Sequence, residues 1–186
     1  MLEEKFKVEK REKTEYPPLP EDMYQVELLD ITSDWKPKYK KPDETELKLS
    51  FQFTLLDGKD KDGESLRGRN IWRNFVPTYL YIGKKGKNVL YEILEALLGH
   101  ELSPEEEATM DEEFLNGLVG KQCRVMVKNK KKDDAIYSNI DGFLNATKKL
   151  KALTDEEKEN ARVKNKDNKD KKEGSDSEVD VEDIPF

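Results

Sequence analysis

Residues 46–56, ELKLSFQFTLL, decide the fold class. Leu47, Leu49, Phe51, Phe53 and Leu55 fall on one side of an extended chain, and Lys48, Ser50, Gln52 and Thr54 fall on the other. That two-residue period belongs to a half-buried β-strand. Toward the N-terminus, Met23 to Ile31 repeats the pattern with Tyr24, Val26 and Leu28 on one face. The doublet Leu28-Leu29 breaks the alternation, and a bulge there returns Ile31 to the core face. Between the two strands, Trp35 to Lys41 (WKPKYKK) is expected as a basic, aromatic loop. Toward the C-terminus, the turn DGKDKDG (57–63) leads into a third strand, roughly Leu66 to Val76, closed by Pro77. The period then becomes helical. Leu90, Ile93, Leu94, Leu97 and Leu98 line one side of Val89 to Leu98, and Gly99 is placed to stop the helix. Ser103-Pro104-Glu105-Glu106 carries a capping-box signature for a second short helix. After the apolar connector FLNGLVG (114–120), Gln122 to Asn129 and Ala135 to Phe143 form two further strands, with Cys123, Val125 and Val127 inward and a turn at Lys130 to Asp134.

The order β-β-β-α-β-β predicts a mainly β protein, a five-stranded OB-fold barrel with a helix between strands three and four that plugs its bottom. An α+β sandwich of the same order fits the pattern as well. The expected division is an N-terminal arm over 1–20 ending in YPPLP, a domain over 21–147, a flexible linker over 148–172 and an acidic tip over 173–186. Thr154-Asp155-Glu156-Glu157 is able to cap one more helical turn inside the linker.

Charge is segregated along the chain. Of its 186 residues 40% are charged, and the formal net charge is −7. The last 14 residues hold six acids and no base; without them the chain carries 34 basic and 35 acidic residues. Glu101 to Glu113 contains seven acids and no base, while bases gather at Arg67, Arg69 and Arg73, at Lys84, Lys85 and Lys87, and from Lys121 through Lys132. Such segregation suits a phosphate-tracking groove with separate acidic surfaces, although each cluster alone also fits a solvated loop. With one cysteine and one histidine, no disulfide framework or cysteine-based zinc site is expected. No nucleophile–base pair stands out, so the chain is expected to be non-enzymatic and to need no cofactor. It has no apolar run long enough for a membrane span and no apolar signal region, so a cytoplasmic location is expected.

The terminus is the most specific feature. Residues 178–186, EVDVEDIPF, close in Asp183-Ile184-Pro185-Phe186. Here the chain resembles the single-stranded DNA-binding proteins of bacteria and their phages. The domain resembles the phage kind more than the standard bacterial kind, and the segment GRNIWRNFVPTYLYIGKKGKNVLYEILEALLG (68–99) is similar to phage early proteins. The resemblance implies that Asp183, Ile184, Pro185 and Phe186 recruit replication and repair proteins. It also implies that the tip competes with DNA for the basic groove. Physically, Phe186 offers an aromatic anchor beside a terminal carboxylate, and Pro185 limits the unbound ensemble.

Single-stranded DNA binding needs cations for phosphates and flat faces for unstacked bases. The chain interleaves both. Candidate contacts are Trp35, Lys38 and Tyr39 in the first loop, Lys48 on strand two, and Arg67, Arg69, Trp72, Arg73 and Phe75 around strand three. Tyr79, Tyr81, Lys84, Lys85 and Lys87 follow in the next loop, and Arg124 and Lys128 lie on the outward face of strand four. For each aromatic the plain alternative is core packing. On strand three, a buried Ile71 turns Trp72 outward, and Arg67, Arg69 and Arg73 then need strand edges or a bulge to leave the core. RNA binding through an OB groove, or an adaptor whose acidic tail mimics DNA, are the competing expectations.

Overall fold

Eleven elements follow from these patterns in a computed structural model, which describes residues 17–84, 86–132 and 135–169. They are β1 (Met23–Lys38), β2 (Lys41–Leu55), β3 (Asn70–Pro77), β4 (Ile82–Gly83), β5 (Gly86–Lys87), α1 (Val89–Leu98), α2 (Pro104–Ala108), α3 (Glu112–Asn116), β6 (Gln122–Lys132), β7 (Ala135–Asn145) and α4 (Asp155–Lys169). The protein is mainly β. Five strands form one antiparallel sheet in the order β3-β2-β1-β6-β7, and β4 and β5 make a separate hairpin. Among the described residues no ladder joins the edge strands β3 and β7, so the expected closed barrel is present as a five-stranded sheet. The two edges nevertheless lie close, and Arg73 Nη1 of β3 donates to the Ile140 carbonyl of β7 at 3.3 Å.

The core is the alternating face expected from residues 46–56. Phe51, Phe53 and Leu55 are fully buried with Val26 and Leu28 of β1 and Cys123 and Val125 of β6. Phe51 and Phe53 lie nearly parallel with centroids 6.4 Å apart, and Phe143 of β7 tilts against Phe53 at 5.7 Å. Each such ring removed from water contributes roughly 1.5–3 kcal/mol. Helix α1 closes this face by burying Leu90, Ile93, Leu94 and Leu97. Asn88 caps its start by accepting from Tyr91 N–H, and Gly99 ends it at φ 82°, a conformation that costs glycine least. The capping box at Ser103 is complete, with Ser103 and Glu106 satisfying each other's backbone N–H.

The expected bulge sits at Leu29, where the β1–β2 register jumps from Leu28 to Asp30. Three expectations are corrected. Residues 35–38 are not a loop, because β1 runs on through Trp35 to Lys38 and pairs with β2 as far as Lys41. The third strand begins at Asn70, since Leu66 to Arg69 form the turn before it. The linker expected over 148–172 is structured up to Lys169: Lys148 to Leu153 lie against the sheet and α4 follows. Thr154 caps α4 by accepting from Glu157 N–H, and Glu157 accepts from Thr154 N–H in return.

At the N-terminal end, Leu19 is buried, donates its N–H to Ser138 Oγ at 2.8 Å and accepts from Asn129 Nδ2 at 2.9 Å. Tyr24 donates its hydroxyl to the Pro20 carbonyl. The Tyr24 ring also lies against Gly58, where φ is 99° and an added Cβ would meet it at 2.6 Å. Among the described residues no helix is long and apolar enough to cross a membrane.

Candidate nucleic-acid interface

Two parts of the sheet extend as bare two-stranded ribbons. Strand β3 pairs with β2 only as far as Lys48, and β6 pairs with β1 only from Met23 to Glu27. Among the described residues the distal β1–β2 ribbon therefore has no neighbour strand, and neither has the β6–β7 ribbon beyond Met126. A two-stranded ribbon is marginal by itself in water. Ion pairs brace the first one: Glu44 accepts from Lys38 at 2.6 Å and from Lys41 at 2.7 Å. Those bonds hold the Glu44 carboxyl below its usual range and raise the Lys38 ammonium.

Both ribbons carry exposed rings beside lysines. Trp35 is 64% exposed and Tyr39, at the turn, is 96% exposed. On the second ribbon Tyr137 is 55% exposed and pairs in register with Lys130, while exposed Ile136 pairs with Lys131. In sequence Lys130 and Lys131 count toward a basic cluster but fall in an expected turn, whereas β6 runs to Lys132, and Tyr137 and Ile136 are not singled out. The strand AIYSNI (135–140) that follows it, with a tyrosine among polar residues, is the signal that marks them.

Strand β3 supplies the third group. Trp72 is 37% exposed, pairs with Gln52 and faces outward, as its parity with buried Ile71 requires. The arginine conflict is resolved at the edges. Arg73 shares the inward face but lies in the β3–β7 seam, where its Nε is buried without a partner among the described residues. The register shift between Leu49 and Phe51 leaves an extra residue on β3, and Phe75 sits there at φ 61°, 65% exposed. A bulky residue in left-handed backbone costs roughly 1–2 kcal/mol, and here it carries a ring into solvent. Tyr79, Tyr81 and Ile82 continue this exposed stretch.

The rings do not share one face. Trp35 pairs with Leu47, on the core side of β2, whereas Trp72 pairs with Gln52 on the other side. Tyr137 and Lys130 share the outward face with Lys128, because Val127 and Ile140 are the buried pair between them. On their own sides, Leu47 and Ile31 line a cavity of about 440 Å³ below the Trp35 ribbon, and Lys128 and Arg124 flank the outer face.

Several candidate cations are already engaged. Arg67 uses all five N–H donors within the protein: Nε and Nη2 on Glu157, Nη1 on the Leu56 and Lys151 carbonyls, and Nη2 on the Ala152 carbonyl. Arg69 Nη2 donates to the Pro17 carbonyl. Lys48 pairs with Glu46 at 2.8 Å, and Arg124 Nε donates to the Asn145 carbonyl at 2.9 Å. Lys87 is held by Glu95 at 2.6 Å, which raises its ammonium pKa, and it lies 5.7 Å over the Tyr91 ring. Lys128 pairs with Asp141 at 2.7 Å, but more than half of its side chain faces solvent. Lys84 is exposed; Lys85 and the tip residues Asp183, Ile184, Pro185 and Phe186 lie outside the described residues.

Among the described residues no three histidine, cysteine, aspartate or glutamate side chains gather to hold a metal ion. No protein-family model matches the chain, and no curated protein matches it.

Proposed function

We propose that the protein binds single-stranded DNA with little sequence preference, in replication, recombination or repair, and does so without catalysing a reaction. One observation carries this reading: Trp35, Tyr39, Phe75, Tyr79, Tyr81 and Tyr137 all hold aromatic rings more than half exposed, on two ribbons that also carry lysines and on the bulge and the stretch after it. Rings of that size in water are costly unless something flat covers them, and nucleobases do so at about 1–3 kcal/mol each. Strand order supports the OB-type reading. With β6 and β7 taken as strands four and five, the order is 3-2-1-4-5, and Arg73 bridges the seam that would complete the barrel.

In this reading β3 and the β6–β7 ribbon form one stacking surface through Trp72 and Tyr137, with Lys128 and Lys130 for phosphates. The β1–β2 ribbon adds Trp35 and Tyr39 from the other side of the sheet, as a finger that closes over the strand. Phosphate contacts supply a salt-dependent share of the affinity. The C-terminal tip, Asp183 to Phe186, recruits partner proteins.

Fluorescence anisotropy of labelled dT30, with unlabelled U30 and duplex DNA as competitors over a salt series, tests the proposal. Preference for dT30 over duplex, with affinity falling as salt rises, supports it. Equal competition by U30 widens the ligand to any single strand, and preference for duplex refutes the single-strand claim.

A further inference from the structure

All four buried polar side chains of the described residues, Gln25, Glu27, Gln52 and Thr54, lie on the outward face of β1 and β2, the face that Trp72 shares. A polar face becomes buried only when something polar covers it. The C-terminal segment is at least part of that cover. Gln25 Nε2 donates to the Lys148 carbonyl, Gln122 exchanges bonds with Leu150, and Glu27 Oε2 accepts from Leu153 N–H at 3.1 Å. Helix α4 then crosses toward β3. Glu157 grips Arg67, Lys158 Nζ stands 3.2 Å from Glu27 Oε1, and Asn70 Nδ2 donates to the Ala161 carbonyl at 2.8 Å. Asn70 in turn accepts from Thr54 Oγ1 at 2.7 Å and lies two residues before Trp72.

The two halves of this cover are attached differently. Residues 148–153 are held by backbone bonds and by buried Leu153. Over residues 155–162 of α4, the one buried apolar side chain is Ala161; the remaining attachments are two ion pairs and one amide bond. The Arg67–Glu157 pair, 25% and 33% exposed, lies within reach of salt and competing anions, whereas the Lys158–Glu27 pair rests on a buried carboxylate and is the firmer of the two. The Glu157 carboxylate moreover occupies the Arg67 fork in the two-pronged manner in which a phosphate would take it.

From this we infer that α4 is a releasable strap over the outer face of the proposed site. It hinges after Leu153, and an incoming strand lifts it by giving Arg67 a phosphate in place of Glu157. Release opens Arg67, Asn70 and Thr54 beside Trp72 and lengthens the binding track along β3. Leu153 N–H stays on Glu27 Oε2, while Lys158 leaves Glu27 Oε1 with the helix, a loss that the new phosphate contacts must outweigh. The inference rests on the single-strand reading above and adds its regulation.

Hydrogen exchange of the α4 amides in the full chain, with and without dT30, is the test. It is paired with dT30 affinity of Glu157→Gln and of Glu156→Gln, which makes the same charge change at an exposed position beside the clamp. Faster α4 exchange in the wild-type complex is expected. Glu157→Gln should bind about three- to tenfold more tightly, because less of the population is strapped, and Glu156→Gln should match wild type. Unchanged or slower α4 exchange on binding overturns the strap while leaving the binding site intact. Equal gains from both variants reduce the effect to net charge and overturn it too. If wild type and both variants fail to bind dT30 even at low salt, the single-strand reading falls and takes the strap with it.

Discussion

Breaking the Arg67–Glu157 clamp should loosen α4 by a calculable amount and with a defined pH dependence. Arg67→Met removes five hydrogen bonds while keeping the length of the stem. The hydrogen bonds from Arg67 first, and from Thr154 N–H next, hold the Glu157 carboxyl down to about 2 from 4.5. Taken in full, that shift corresponds to about 3 kcal/mol. With the Glu157 side chain 33% exposed, solvent screening reduces the ion-pair share to about 1 kcal/mol. The three carbonyl bonds, to Leu56, Lys151 and Ala152, lie in the sheet and before the hinge, so they do not enter the opening of α4. Arg67→Met should therefore lower the opening free energy of α4 by about 1 kcal/mol. A double-mutant cycle with Glu157→Gln should return a coupling of about 1 kcal/mol. The sign with pH follows from a depressed carboxyl: the stabilisation is complete above pH 4.5 and is lost as pH falls toward about 2. Native-state hydrogen exchange of α4 measures both quantities. A coupling below about 0.3 kcal/mol, or α4 stability flat with pH below 4.5 in wild type but not in Glu157→Gln, would refute the clamp.

Other expectations concern the rings and the thiol. Trp72→Ala and Trp35→Ala should each weaken dT30 binding by about five- to hundredfold, with thermal stability nearly unchanged for Trp35→Ala, whose ring is 64% exposed, and lowered for Trp72→Ala, whose ring is 37% exposed; titration of each variant by anisotropy decides. Phe75→Gly should be more stable than Phe75→Ala by about 1 kcal/mol in urea unfolding, since only glycine is at ease at φ 61°; both variants should bind dT30 more weakly than wild type. Cys123 is fully buried and its thiol is pushed up to about 12 by desolvation, so at pH 8 it should resist thiol reagents until the protein unfolds. Labelling at the rate of an exposed cysteine would contradict that packing.

The sheet and helix α1 were legible because apolar burial writes a period into the chain. Leu47 to Leu55 alternate and become buried toward the sheet, the doublet at Leu28 becomes a bulge, and Asn88 and Gly99 bound the helix. What escaped is held by other means. Trp35 to Lys38 contain a proline and lysines and show no alternation, yet they pair because β2 opposite continues in register. The cover over residues 148–161 reads as a linker in sequence because ion pairs and amide bonds hold most of it, and those leave no hydrophobic pattern. The candidate site was legible as a composition, rings among lysines, but not as an arrangement. Only the register shows that Trp35 and Trp72 stand on opposite faces, and that Arg67, read as a phosphate contact, has every donor engaged in the fold.

The central claim is that bases stack on the exposed rings, and intrinsic tryptophan fluorescence reads it directly because Trp35 and Trp72 are the two tryptophans of the chain. Titration with oligo-dT at low salt should quench the emission strongly and saturably, with each single Trp→Phe variant retaining part of the signal. Emission unchanged by oligo-dT, or changed equally by duplex DNA, would contradict base stacking as the purpose of these rings.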